Sequence, residues 1–256
     1  MKKKGKRRVK KLVSFCLPVI FLLLTLTTSA HAKNVPLISI NIGGDGPQET
    51  AQSMQILLLL TILSLAPSII IMMTSFTRIS IVLSFVRNGL GLQQTPPNQV
   101  LIGLALFLTF FIMSPVISQV NSEAIKPYTQ GEITQDEAFS NAMKPIRTFM
   151  LKQTNKQEMK LFLSLSKRES VKDYDDIPNE ALIPAFILSE LKKAFIMGFM
   201  ILIPFLIIDM IVASTLMSMG MIMLPPIMIS LPFKLILFVV VDGWNLVVKT
   251  LVTSFT

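Results

Sequence analysis

Covalent catalysis and metal chemistry need thiols, imidazoles or clustered carboxylates, so the supply of those groups bounds what this chain can do. The chain has one cysteine and one histidine, Cys16 and His31. Both lie in a leading segment whose pattern marks it for removal. Eight of the 24 basic residues (Lys2, Lys3, Lys4, Lys6, Arg7, Arg8, Lys10, Lys11) precede an apolar run from Leu12 to Leu26, and Ala30-His31-Ala32 follows. A basic stretch, an apolar stretch and a small-x-small site together make a secretory signal peptide. Cleavage is expected after Ala32. The mature chain then carries no thiol or imidazole, which excludes Cys- or His-based nucleophiles, histidine and thiolate metal sites, and disulfides. No metal and no cofactor are expected.

Carboxylates remain. Glu190, Asp209 and Asp242 stand with Lys192, Lys193 and Lys234 in otherwise apolar sequence. An ionisable residue in such a setting needs a partner or a water-lined cavity. Two embedded aspartates could share a proton and activate water. Their flanks, FLIIDMIV and VVVDGWNL, form no catalytic box, and no Gly-rich phosphate loop, HExxH or GxSxG is present. The expectation is a protein that is not an enzyme. Lys192 and Lys193 suit snorkelling at a helix end. Asp209, Lys234 and Asp242 are expected to be structural or lumenal charges. Glu190 is expected to pair with a basic residue of segment 144–168, in this subunit or another.

Methionine supplies a different chemistry. Eight of the 16 methionines lie between Met197 and Met228, and Met217, Met219, Met221 and Met223 alternate around Gly220 before Pro225-Pro226. A period of two is not helical, so the helix is expected to end near Gly220. Methionine is unbranched and polarizable. On residue chemistry alone the cluster is either filler in a helix bundle or a soft seal that deforms around a passing chain.

The elements that would position these residues are helical and apolar. The chain is 52% hydrophobic and 15% charged, with mean hydropathy +0.63. This composition suits an integral membrane protein. Without residues 1–32, 16 basic residues face 15 acidic ones, a net charge of +1. The basic balance of the full chain therefore gives no reason to expect nucleic acid. Residues 33–53 form a polar lead-in. Apolar runs at Ile56–Met73 and Val100–Val120 make a first hairpin over 54–120. The connector between them carries Arg78 and Arg87 without an acid, which places it on the cytoplasmic side. Segment 121–180 is a periplasmic helical excursion. Phe139, Met143, Ile146 and Met150 share one face there, Thr134 with Glu137 forms a capping box, and Thr154 with Gln157 marks a second start. Residues 181–256 form a second hairpin, with runs at Ala194–Leu216 and Leu235–Val248, the latter short for a span. The fold class is all-α, with about four kinked membrane segments.

The wording of these segments resembles the FliP/SctR family of type III protein export, on its flagellar side. The residues that carry the resemblance are TSFTR (74–78), RNGLGL (87–92), PPNQV (96–100), GLALFLTFFIMSPV (103–116), PAFILSEL (184–191), PFK (232–234) and DGW (242–244). The resemblance implies an export-gate subunit of the bacterial inner membrane and flagellar basal body. It implies a pentamer assembled with FliQ and FliR, enclosed by the basal-body ring, beside FlhB and FlhA. Unfolded flagellar subunits would pass through its pore. Met221 and Met223, with Met219, match the family's methionine gasket, while Ile222 departs from a position often occupied by methionine. Alternatives are a scaffold that nucleates the apparatus, or the injectisome homologue that exports effectors.

Overall fold

The computed structural model describes residues 47–166, 176–221 and 223–255, with side chains from residue 54 onward. The signal peptide, its Ala32 cleavage site, most of the lead-in and most of the loop after Ser166 lie outside the described residues. All regular structure among the described residues is helical. The chain divides into two compact units, Met1–Thr61 and Ile62–Thr256. The first helix, α1 (Pro47–Met72), contains Pro67 and crosses that boundary. Over Met54–Met72 it is strongly apolar, with none of that stretch buried.

The sequence between the first two apolar runs is not a short loop. It forms α2 (Phe76–Gly89), whose buried residues Arg78, Ile79, Val82, Leu83 and Val86 recur with helical spacing. Arg78 therefore cannot serve as a cytoplasmic loop charge, and the orientation inferred from it loses half its basis. Chain direction then reverses through Gly91, at φ +76°, into α3 (Asn98–Val120). A π-helical turn, Asn121–Ile125, extends α3 into α4 (Lys126–Thr129). Pro127 accounts for that turn. In an α-helix its ring would strike the carbonyl of Glu123, and widening the helix relieves the clash.

Two short helices follow. In α5 (Gln135–Gln153) the capping box is complete: Glu137 N–H donates to Thr134 Oγ1 at 3.4 Å, and Thr134 N–H donates to Glu137 Oε2 at 2.8 Å. That backbone donor, with the Thr134 hydroxyl, holds the Glu137 carboxyl below its ordinary range. Met143, Ile146 and Met150 face a core containing Met159, Ile177, Leu182 and Phe186. Phe139 does not join them; it is 71% exposed. The next helix, α6 (Lys156–Leu165), starts from Asn155 rather than Thr154, because the Thr154 hydroxyl is turned back onto Met150 O at 2.7 Å and closes α5 instead.

The dominant element is α7 (Asn179–Ser218), forty residues that run unbroken past Pro184 and Pro204. At 1.5 Å per residue it is about 60 Å long, roughly twice a bilayer's hydrocarbon thickness. Its closest partner is α2. Two glycines allow that approach: a Cβ on Gly198 would lie 2.4 Å from the Phe85 ring, and one on Gly89 would lie 2.8 Å from Leu202 and Phe205. The last apolar run is not one segment. It divides into α8 (Pro226–Val240) and α9 (Gly243–Thr253), which meet at a 64° bend. A second core joins α2, α3, α7, α8 and α9 through Val82, Leu83, Ala105, Phe205, Phe238 and Leu251. Among the described residues, three helices are long and apolar enough to cross a membrane, four with the bent pair counted as one. The chain is a membrane protein.

Candidate functional site

Helix α7 stops because Gly220 takes a left-handed conformation, φ +76°, that other residues rarely adopt. Gly220 N–H donates to Met217 O and Met221 N–H to Leu216 O, both at 3.0 Å, so the orphan carbonyls of the last turn are capped. The chain then passes into α8 through Pro225 and Pro226. Met217, Met219, Met221 and Met223 are all exposed, Met223 at 98%. The methionines thus sit on the tip of the α7–α8 hairpin, outside either core. They fill no gap in either core of this subunit.

Below the tip the hairpin is clamped by charge. Lys234 Nζ lies 2.6 Å from Asp209 Oδ2, and the Ser230 hydroxyl donates to Asp209 Oδ1. Lys234 is buried and Asp209 about three-quarters buried, so each neutralises a charge that would otherwise be costly to embed. Asp209 is a cross-hairpin tie. Asp242 has a different task. It is exposed, adopts φ 52°, ψ 53° and accepts from Asn245 Nδ2 at 3.1 Å. Aspartate is among the few non-glycine residues that visit this region, and here it turns the chain from α8 into α9.

Glu190 pairs with Arg78, not with the 144–168 segment. The Arg78 guanidinium uses all five of its N–H groups. Nε donates to Glu190 Oε2 at 2.9 Å, and Nη2 donates to Glu190 Oε1 and, at 3.0 Å, to Gln153 Oε1. Nη1 donates to Ser254 O at 2.9 Å and Ser254 Oγ at 2.8 Å. Phe255 lies beneath, its ring centroid 3.7 Å from the guanidinium carbon. Such a fork on a carboxylate is the arrangement arginine supplies and lysine cannot. Segment 144–168 does enter the network, through Gln153. Lys193 is no snorkelling lysine, because its Nζ donates to Gln153 O at 2.7 Å. Nor is Lys192 unpartnered: it meets Glu158 Oε1 at 2.9 Å, and this hydrogen bond holds the Glu158 carboxyl below its ordinary range.

The arrangement is an exposed thioether loop on a charge-clamped hairpin. Among the described residues no group of three His, Cys, Asp or Glu side chains is placed to hold a metal ion. Comparison with known proteins gives the family. Residues 59–251 match the model described as the FliP family. The chain belongs to the FliP family. The flagellar biosynthetic protein FliP of Bacillus subtilis (strain 168) is 58% identical over 209 residues, 82% of this chain and 95% of its own. FliP of Aquifex aeolicus (strain VF5) is 49% identical, covering 91% and 97%. FliP of Borreliella burgdorferi is 49% identical over 89% and 90%. The FliP match takes in α2 to α8 and most of α9, and therefore the methionine loop and both embedded ion pairs.

Sequence reasoning missed the role of Arg78, which organises the larger of those pairs. A signal was present: positions 78, 79, 82, 83, 86 and 90 repeat with helical period, and Arg78 is on that stripe.

Proposed function

We propose that this chain is a core subunit of the flagellar type III export gate, a conduit for unfolded flagellar subunits across the bacterial inner membrane, and that it catalyses no reaction. The observation that carries the reading is the exposed methionine loop at the end of α7. Met219 and Met223 are 71% and 98% exposed although they are apolar, and Met221 beside them is 37% exposed. Exposed apolar groups at a hairpin tip are unfavourable in a lone subunit and become favourable where several copies converge. Thioether side chains on one ring of loops would form a seal that yields to a passing chain and closes behind it. The charge clamp of Asp209, Ser230 and Lys234 would hold each hairpin while its tip deforms.

Family membership supports the rest of the reading. The subunit acts as one of several copies, a pentamer by resemblance, with FliQ and FliR, beside FlhB and FlhA and within the ring of the flagellar basal body. The test replaces Met221 and Met223 together by alanine. Ion leak through the membrane should rise while the complex still assembles. Loss of assembly with no leak would replace the conduit reading by that of a scaffold.

A further inference from the structure

The two ends of α9 are held in unlike ways. Its start is the 64° bend at Asp242 and Gly243, where a Cβ on Gly243 would lie 2.3 Å from the Phe238 ring. Its end is the Ser254–Phe255 turn, which sits on Arg78. Between those points its packing beyond α8 is sparse. Val247 and Leu251 reach the core, but an apolar cavity of about 460 Å³ separates α9 from α7, bounded by Leu246, Val247 and Thr250 on one side and Met197, Ile201 and Pro204 on the other. Such a gap forfeits the close contacts that would otherwise fix a helix along its length.

The place where the turn docks has anchors of its own. Three of the five Arg78 donors go to Glu190 and Gln153, on α7 and α5. Nη1 and one face of the guanidinium are engaged by the turn alone. The turn supplies what is lacking: two oxygens for Nη1, a ring for the guanidinium face, and Phe255 O for Gln153 Nε2 at 3.1 Å. Phe255 also stacks on Phe149 with centroids 6.2 Å apart, which joins the α9 end to the α5–α6 core.

We propose that α9 is a latched arm, hinged at Asp242–Gly243 and held shut by docking of Ser254–Phe255 into a receptor that Arg78, Gln153 and Phe149 form in advance. Opening exposes Val247, Leu251 and the cavity wall while α2, α3 and α7 keep their packing. This stands independently of whether the methionine loop seals a pore.

The test uses full-length protein in membranes with Cys16 replaced by serine and one reporter cysteine, Val247→Cys on the arm or Val82→Cys on α2, labelled with N-ethylmaleimide. Phe255→Ala should speed labelling at position 247 by about tenfold, equivalent to about 1.4 kcal/mol of lost docking, and leave position 82 protected. Phe255→Tyr, which keeps the ring over the guanidinium, should leave both protected. Leu251→Cys serves as the second arm reporter should the Val247 variant fail to fold. Equal acceleration at positions 82 and 247 would mean general loosening and overturn the latch. No acceleration in Phe255→Ala would overturn it as well.

Discussion

The Arg78–Glu190 pair makes a sharp energetic prediction because both side chains are withdrawn from water, at 1% and 0% exposure. Neither charge can recover hydration if its partner is removed. Arg78→Met leaves a carboxylate that had taken its hydrogen bonds from the guanidinium, and the expected loss is about 5 kcal/mol. Glu190→Met leaves a guanidinium that still reaches Gln153, Ser254 and Phe255, so the loss is smaller, about 3 kcal/mol. Each is a large part of a total of about 5–15 kcal/mol. The double variant Arg78→Met/Glu190→Met removes both charges and fills the space with two flexible apolar chains. It should lose less than either single change, about 2 kcal/mol. The assay is denaturant unfolding of the detergent-solubilised protein, followed by fluorescence of Trp244, the chain's only tryptophan, which packs edge-on against Phe238 at 5.3 Å. If the double variant loses the sum of the singles, roughly 8 kcal/mol, the two charges do not act as one unit and the reasoning fails.

Gly198→Ala should cost about 1–3 kcal/mol by driving a methyl into Phe85, whereas Gly103→Ala, which meets nothing within 4 Å, should be neutral or gain up to about 1 kcal/mol; thermal melts of the pair distinguish the two. Lys234→Met strands Asp209 and should cost about 2 kcal/mol, less than either Arg78–Glu190 single change because Asp209 retains 26% exposure, and the exchange Asp209→Lys/Lys234→Asp should restore part of it. Glu137 and Glu158 have carboxyls held below their ordinary 4.5, so the stability they confer on α5 and α6 is complete above pH 4.5 and disappears as pH falls through their lower folded values. Hydrogen exchange should show α5 and α6 loosening at acid pH, and Thr134→Ala and Lys192→Met should each remove part of that acid step.

Local rules reached some of this and stopped where distance entered. The capping box at Thr134 and the stop at Gly220 depend on residues within a few positions of one another, and both are visible as written. The amphipathic face of α5 was legible for Met143, Ile146 and Met150, yet periodicity could not show that Phe139, on the same stripe, stays exposed. Glu190 is 112 residues from Arg78, and nothing local to either names the other. Arg78 was misplaced for a definite reason. A charge among short apolar runs looks like a loop residue, and only the helical stripe around it reveals an internal one. The bend had a local signal in the Asp242-Gly243 pair, but the apolar residues on both sides let it pass as one short segment. For the methionines, spacing gave the loop, and their exposure places them outside both cores of the subunit.

Helix α7 carries Glu190 near one end, Asp209 further along and the methionine tip at the other, on one uninterrupted backbone. It therefore acts as a ruler. Each residue advances the tip by about 1.5 Å and turns it by about 100°, so the direction in which Met219 points is set by the count of residues back to the Arg78 anchor. One residue inserted between Gly198 and Leu206 would swing the tip by more than a quarter turn and misalign Asp209 with Lys234. Seven inserted residues, close to two whole turns, would lengthen the helix by about 10 Å yet return the tip to nearly its original facing. Angle and length at the methionine loop are thus separable quantities, and this helix encodes both as an integer.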